Sequence, residues 1–215
     1  LYELARYQEA CSCFAEVVAL QPRNKIAWNN QGYLTLVEYS YGSQIIFDKP
    51  LLIHQVQVSS SFEVSNRISL EDCQKAMQFF DAALNVDPDF LLAWANRSFP
   101  AYHLQQYQVA LQNCNRALEL DPDNEQAMHE VIYNNRGCVL LELHNPSAAL
   151  QSFIVALSIA PTLNEAWLGK GNALYQLGRY TEAIESFMQA LRFNHPLAQA
   201  HLDQTQAHLQ EQTSH

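Results

Sequence analysis

The chain has 215 residues, of which 48% are hydrophobic and 16% charged, and its formal net charge is −10. This composition is typical of a folded soluble protein, and it lacks the excess of Lys and Arg that binds nucleic-acid phosphates or anionic lipids. We therefore expect neither nucleic acid nor a membrane as a partner. The five cysteines form no CxxC pair, which favours reduced thiols packed in a core and a cytoplasmic location.

A recurring pattern starts at Ala10: an aromatic residue or Cys follows after four positions, a small residue after three more, and Pro after another five. The instances are Ala10/Phe14/Val17/Pro22, Ala76/Phe80/Ala83/Pro88, Ala110/Cys114/Ala117/Pro122, Ala149/Phe153/Ala156/Pro161 and Ala183/Phe187/Ala190, the last with Pro196 displaced by one. This spacing places the first three side chains on one face of a helix, where small residues let a neighbouring helix approach closely.

Each Trp follows a Pro by six residues, as in Pro22/Trp28, Pro88/Trp94 and Pro161/Trp167, and Tyr133 takes the Trp position in a further copy. The prolines at 22, 88, 122 and 161 are 66, 34 and 39 residues apart, so the unit is 34 residues long, with about 32 extra residues in the first interval and five in the last. Because Pro is tolerated in the first turn of a helix but not inside it, each Pro marks where one helix ends and the next begins. The pattern predicts helix pairs that bury their apolar faces by stacking.

Three segments carry a specific resemblance: AWNNQG at 27–32, NNRG at 134–137 and AWLGKGNALY at 166–175, followed by GRYTEA at 178–183. They resemble the tetratricopeptide repeat family over roughly 1–36 and 71–194, with a closing helix after that. The resemblance implies an all-α, right-handed superhelical solenoid of antiparallel helix pairs. The first helix of each pair (A) lines the inner surface, and the second (B) supports it.

We predict one solenoid domain over 1–212. Its parts are a truncated first repeat (1–22) holding the end of an A helix and its B helix, a second repeat with an insertion at about 37–68 (23–88), a third (89–122), a fourth with a five-residue extension (123–161), a fifth (162–196) and a capping helix (197–212). The truncated repeat suggests a natural chain that begins earlier, whereas the capping helix suggests a genuine C-terminus.

The insertion is the least regular part of the chain. The run 51–58 ends in strict alternation of apolar and polar residues, and together with 44–47 it predicts either a small β-hairpin or a loop. Two interpretations stay open: an interaction element that presents apolar residues such as Phe47, or a tolerated loop packed against its own repeat. Ser69 and Asp72 predict the cap that reopens the helix.

Two smaller departures lie in the third and fourth repeats. Pro100 falls inside a predicted A helix, where it removes a backbone hydrogen bond and predicts a kink. The five extra residues near 125–130 predict a longer A helix in the fourth repeat.

No catalytic, metal or cofactor site is predicted. The eight histidines show no zinc-ligand spacing and are expected at the surface, and Cys11 and Cys13 lie on different helix faces. Without a nucleophile elbow, a phosphate loop or paired carboxylates in a cleft, we expect no enzyme.

In this family the partner contacts come from A-helix positions two before and one, five, eight and nine after the Trp position. The resemblance therefore implies a binding groove formed by Asn29, Tyr33, Leu36, Leu92, Phe99, Tyr102, His103, Asn134, Leu141, Asn172 and Tyr175. Aromatic anchors with a polar flank are typical of peptide hot spots, but some of them could instead pack under the insertion. Asn30, Asn96 and Asn135 recur two positions after the Trp position. A carboxylate clamp is not expected, because it needs Lys and Asn at positions 29 and 33.

We expect a scaffold or adaptor that binds a peptide or helical segment of a partner protein. One alternative is a regulatory or sensor arm of a larger protein. Another is a homo-oligomerising element that pairs through the insertion or the open N-terminal face. Arg97, Arg136 and Lys170 form a recurring row that either meets an acidic ligand or pairs with nearby carboxylates.

Overall fold

A computed structural model describes residues 2–37, 50–51 and 69–213, and these residues form ten α-helices with no strand. The helices are α1 (Tyr2–Leu20), α2 (Lys25–Val37), α3 (Leu70–Val86), α4 (Leu91–His103), α5 (Tyr107–Leu120), α6 (His129–Glu142), α7 (Pro146–Ile159), α8 (Asn164–Gln176), α9 (Tyr180–Arg192) and α10 (Ala198–Thr213). The all-helical fold class expected from the sequence is confirmed. The predicted hairpin at 44–47 and 51–58 lies, apart from Leu51, outside the described residues.

The helices group into two compact units. Of the described residues, unit 1 holds 2–37, 50–51 and 69–126, which contain α1 to α5, and unit 2 holds 127–213, which contain α6 to α10. In each unit, consecutive helices pack against one another, and the A helices also touch: α2 meets α4 in unit 1, and α6 meets α8 in unit 2. The division of 1–212 into repeats of one solenoid domain stays a prediction.

The six-residue spacing from Pro to Trp has a direct structural cause. The indole Nε1–H of Trp28 donates to the carbonyl of Pro22 at 2.9 Å, and Trp94 and Trp167 donate to Pro88 and Pro161, each at 2.8 Å. The indole thereby ties the loop between repeats to the A helix that follows it, while its ring stays partly buried. Each Trp therefore combines apolar contact with a satisfied polar group.

The turn from A to B helix is also repeated. Gln105, His144 and Gly178 adopt left-handed φ values of 59°, 56° and 74°. The next amide reaches back to the helix end: Gln106 N–H donates to Ala101 O at 2.9 Å, with the equivalent bonds at Asn145 and Arg179. These are the six-to-one bonds of a Schellman cap, so each A helix ends at the same position of its repeat.

Close approach between A and B helices depends on glycine. A Cβ at Gly32 would lie 2.8 Å from the ring of Phe80, and a Cβ at Gly171 would lie 2.3 Å from that of Phe187. In unit 2, Phe153 packs between Gly137 and Gly169, with distances of 2.7 and 2.4 Å to their hypothetical Cβ atoms.

The third repeat departs from this arrangement on both sides of the contact. It has Ser98 in the glycine position and Cys114 in the phenylalanine position, and both are buried. The smaller side chain on one helix thus coincides with the larger one on the other, as close packing requires.

Two expectations are corrected. The end of an A helix and the B helix expected in 1–22 are a single continuous helix, α1. The five extra residues do not lengthen α6, which begins at His129. They lie in the loop that precedes it, where the Asp121 carboxylate accepts the N–H groups of Glu125 and Gln126 at 2.9 and 3.0 Å.

Helix α4 runs through the buried Pro100 to His103, and the kink expected at this residue stays a prediction.

Two other features agree with the sequence analysis: the N-cap of α3 and the terminal helix α10. Ser69 is the N-cap of α3 and accepts the N–H of Asp72 at 3.0 Å, as predicted. Helix α10 packs on α9 and buries Ala198 and Leu202, as expected of a capping helix. None of the helices in the described part of the chain is long and apolar enough to span a membrane.

Candidate functional site

The predicted groove residues of unit 1 are mostly buried. Asn29, Tyr33, Leu36, Leu92 and Phe99 are 0 to 8% exposed. A partner could therefore bury little additional area of the Tyr33 and Phe99 rings, although the sequence predicts them as anchors. This burial favours the open alternative that part of the unit 1 face is already covered by the chain itself.

The cover includes the described part of the insertion. Pro50 and Leu51 are buried, and the backbone N–H of Leu51 donates to the side-chain oxygen of Asn96 at 2.9 Å. Asn96 Nδ2 in turn donates to Asn29 Oδ1 at 3.0 Å, and Asn29 Nδ2 donates to Asn30 Oδ1 at 3.2 Å. A continuous row of amides thus links α2 and α4 to the insertion, and its members orient one another.

An aromatic group completes the unit 1 face. The ring of His103 lies 4.5 Å from that of Phe99 and 5.5 Å from that of Tyr102, measured between centroids. Tyr102 also meets Tyr107 of α5 edge-on at 5.7 Å. Tyr102 and His103 are half-buried and are thus the predicted residues of this face that keep accessible area.

The A-helix face of unit 2 is open. A cavity of about 310 Å³ lies between α6, α8 and α10. It is lined by Leu141, Glu142, His144, Asn172, Tyr175, Gln176, Phe187, His201, Gln204 and Thr205. The structure therefore brings three predicted residues together at one site, Leu141, Asn172 and Tyr175, whereas the predicted Asn134 is fully buried and does not line it.

Helix α10 supplies one wall of this cavity and an aromatic contact beside it. The His208 ring lies 4.9 Å from that of Tyr180 and 5.9 Å from that of Tyr175, and His208 Nε2 is 3.2 Å from the Tyr180 hydroxyl oxygen. His201 packs on Phe187 at 5.4 Å, and burial lowers its pKa. The wall thus presents a histidine that the protein holds neutral, together with polar Gln204 and Thr205.

The residues of α10 that line this cavity were not among the predicted groove residues. His201 and Thr205 come one repeat length, 34 residues, after Trp167 and Gly171, so adding the period to the fifth repeat could have placed α10 as a further A-type helix. Nothing in the sequence predicted the hydrogen bond between Leu51 and Asn96. Asn96 stood out only as one of three asparagines that recur two positions after the Trp position.

The recurring basic row does not form one free surface. Arg97 pairs with Asp81 at 2.7 Å and also donates to Asn113 at 3.0 Å. Arg136 donates to the Ser152 hydroxyl at 2.7 Å, and Lys170 lies over the Trp167 ring at 4.8 Å from its centroid. Arg97 thus pairs with a nearby carboxylate, as the second interpretation expects, while Arg136 contacts a hydroxyl and Lys170 an aromatic ring.

Two expectations about individual residue types are wrong. His129, His195 and His201 are buried rather than at the surface, and Cys13 is exposed rather than in a core. Among the described residues, no group of three His, Cys, Asp or Glu side chains could hold a metal ion. Burial, with Asp72 as a second cause, raises the pKa of Cys73 to about 11, so this thiol stays protonated and is a poor nucleophile.

The fold and the two A-helix faces define a helical-repeat protein built from stacked helix pairs. The family model described as tetratricopeptide repeat matches residues 165–195. The Trp, Gly, Ala and Phe positions repeat the same pattern over both units, and the resemblance to the tetratricopeptide repeat family is thereby supported.

Curated relatives agree with this family. The chain is 32% identical over 99 residues to the protein STIP1 homolog of Dictyostelium discoideum, which covers 46% of this chain and 17% of that protein. It is 28% identical over 132 residues to the DnaJ homolog subfamily C member 7 homolog of Schizosaccharomyces pombe, covering 56% and 28%. The chain thus spans less than a third of the length of these curated relatives.

Solved structures share the fold. The pilF protein of Pseudomonas aeruginosa matches with a TM-score of 0.66 and 13% identity, over 98% of this chain and 86% of that one. The TPR protein YrrB matches with a TM-score of 0.60 and 19% identity, over 92% and 84%. At these identities the likeness supports the helix-pair architecture, which agrees with the expected solenoid fold class.

Proposed function

We propose that this chain is a protein-interaction module that binds a peptide or helical segment of a partner on its A-helix faces. The observation that carries the proposal is the unit 2 cavity, where Leu141, Asn172 and Tyr175 from two different A helices converge. Its volume of about 310 Å³ lies at the lower end of the range that holds small ligands and would accommodate one or two side chains of a peptide.

The chemistry of the cavity suits a peptide better than a small apolar ligand. The half-buried Tyr175 ring can provide apolar contact, whereas Leu141 and Phe187 line the cavity but expose only 6% and 1% of their area. Asn172, Gln176 and Gln204 offer amides that can both donate and accept hydrogen bonds. Tyrosine is also enriched among residues that dominate binding energy, because it combines a large rigid ring with a hydroxyl. We therefore expect a partner segment with an apolar side chain beside exposed backbone or polar groups.

The relatives are longer than this chain. The chain matches only 17% of the STIP1 homolog and 28% of the DnaJ homolog, so the same segment can form part of a larger protein. The alternative of a regulatory arm in a larger protein uses the same binding faces. Homo-oligomerisation through the insertion or the N-terminal face stays a prediction.

The test is a selection of phage-displayed random peptides on the full chain, followed by fluorescence anisotropy with the selected peptides. We expect the double variant Asn172→Ala, Tyr175→Ala to weaken binding roughly tenfold or more, the effect typical of losing a hot-spot side chain. The matched control is Met188→Ala, which removes an exposed apolar side chain from α9 outside the cavity. Peptides that bind the double variant as tightly as the wild type would overturn the proposal for this cavity.

A further inference from the structure

The unit 1 face has what is needed to read a peptide backbone. Asn96 Oδ1 accepts a backbone N–H at 2.9 Å, and both Asn96 and Asn29 are fully buried. Because every peptide bond except one preceding proline carries an N–H, this contact recognises the backbone and does not depend on a particular side chain. Leu51 is itself buried, and a buried position favours an apolar side chain after the Pro.

The acceptor is oriented before any peptide arrives. The bond from Asn96 Nδ2 to Asn29 Oδ1 fixes which side of the Asn96 amide carries its oxygen, and the bond from Asn29 to Asn30 fixes Asn29 in the same way. An amide held by its neighbours loses little conformational freedom when it accepts a new hydrogen bond. Preorganisation of this kind is typical of a binding site.

The group that fills the site comes from the insertion and not from a repeat. Leu51 is 45 residues away from Asn96 along the chain, and the insertion interrupts the second repeat between α2 and α3. The helix pair α2 and α3 packs together although the insertion separates its members in sequence. The repeat therefore has its own B helix, and Pro50–Leu51 occupies the A-helix face as an addition to it.

We propose that the Asn29–Asn96 amide pair is a binding site for an extended peptide with a Pro-aliphatic dipeptide, and that Pro50–Leu51 is its built-in occupant. A partner segment must displace this dipeptide in order to bind. A tethered segment typically reaches an effective concentration on the order of millimolar, so it competes well against a free partner. The inference rests on the proposed function, because it assumes that A-helix faces take peptides.

The test uses a fluorescein-labelled synthetic peptide with the sequence of residues 47–54 as the probe, and the full chain as the receptor. Leu51→Asp places a carboxylate in a buried position and should expel the occupant. We expect the Leu51→Asp chain to bind the probe roughly tenfold or more tightly than the wild type, because the fraction of receptor with a vacant site rises.

Two further variants assign the gain to the amide pair. Adding Asn96→Ala to Leu51→Asp should abolish the tighter binding. Adding Asn135→Ala instead, at the same repeat position in unit 2, should leave it intact. In the wild type, the Leu51 amide should exchange its hydrogen slowly, and Asn96→Ala should accelerate that exchange by tenfold or more.

The proposal is overturned if the folded Leu51→Asp chain binds the probe no better than the wild type, since Pro50–Leu51 would then be only part of the core. Circular dichroism checks the fold. If Leu51→Asp loses helix, the milder variant Pro50→Gly, Leu51→Gly replaces it, and loss of helix there too would count against the proposal. Failure of the proposed peptide-binding function is recognised separately: the selected peptides would then bind the double variant Asn172→Ala, Tyr175→Ala as tightly as the wild type.

Discussion

Units 1 and 2 are built from the same repeat but present different A-helix faces. In unit 1 the face is closed by a row of buried amides with the Leu51 N–H bonded to it, and in unit 2 it opens into a cavity of about 310 Å³. The residue two positions after the Trp position is Asn30, Asn96 and Asn135 in α2, α4 and α6, but Gly169 in α8. At that position, Asn96 provides an acceptor for another segment, whereas Gly169 lets the helix approach the ring of Phe153. One position of the repeat thus influences both polar recognition and the depth of packing.

The third repeat differs from the others at the contact between its A and B helices. Phenylalanine lies against glycine in both units, at Phe80 and Gly32 and at Phe153 and Gly137, whereas the third repeat has Cys114 and Ser98 at these positions. Substitutions at these positions should therefore have different effects in different repeats.

The largest effect is expected from Phe153→Ala. This ring is fully buried and packs against Gly137 and Gly169, so its loss should leave a cavity and lower the free energy of unfolding by about 3–5 kcal/mol. The matched variant Cys114→Ala removes a single buried sulfur at the same repeat position and should cost about 1 kcal/mol. Urea denaturation followed by far-UV circular dichroism measures both, and equal losses would mean that the two contacts are equivalent.

The next largest effect concerns the partner helix. Gly171→Ala should lower the free energy of unfolding by about 1–3 kcal/mol, because the new Cβ would lie 2.3 Å from a carbon of the Phe187 ring. Ser98→Ala at the same repeat position introduces no larger group and should cost less than about 1 kcal/mol. The measurement is again urea denaturation.

A double-mutant cycle sharpens this result. Gly137→Ser alone should be destabilising, and combined with Phe153→Cys it copies the pair found in the third repeat. We expect a favourable coupling energy of about 1 kcal/mol or more between the two substitutions. Purely additive effects would show that Ser98 and Cys114 do not compensate each other.

A smaller difference is expected at the start of the B helices. Asn145 caps α7 by accepting the N–H of Ala148 at 3.2 Å, whereas Gln106 at the same position before α5 makes no side-chain cap. Asn145→Ala should therefore lower the free energy of unfolding by about 1 kcal/mol, and Gln106→Ala should change it by less than about 0.5 kcal/mol. Thermal denaturation of the two variants makes the comparison, and an equal loss would contradict the assignment of the cap.

The smallest effect is a pH dependence specific to unit 2. Burial lowers the pKa of His201, so the unfolded chain binds a proton at this residue more readily than the folded chain. The free energy of unfolding should therefore fall as the pH drops below about 6.5, the ordinary pKa of His, and His201→Gln should reduce that slope. The check is a series of urea denaturations between pH 5 and pH 8 on both chains, and identical slopes would show that His201 titrates normally.

The repeat features were predictable because they are local. Pro161 to Trp167 spans six residues, and the Trp167 indole bonds to the Pro161 carbonyl within that span. The cap at Ser69 likewise reaches only to Asp72. Of the candidate site, Leu141, Asn172 and Tyr175 meet as expected, since a fixed period places equivalent positions of successive A helices side by side.

The failures have physical reasons as well. The five residues in excess of the repeat length were expected to lengthen α6, but Asp121 accepts two amides of the loop before it and stabilises a turn there. His201 was expected at the surface because its neighbours along the chain are polar, and it is buried because α10 packs on α9. Neither a side chain's loop contacts nor the docking of a terminal helix is encoded in a periodic pattern.

By itself, the sequence determined the 34-residue repeat, the all-helical fold, and the helix face that carries the small and aromatic residues, since each follows from spacing on a helix and from side-chain volume. Only the tertiary structure decided which A-helix face is open and which is closed. That difference depends on a hydrogen bond between Leu51 and Asn96, 45 residues apart, and on the wall that α10 adds beside Tyr175. Contacts of this kind form when separate elements dock, and no local pattern of residues specifies them.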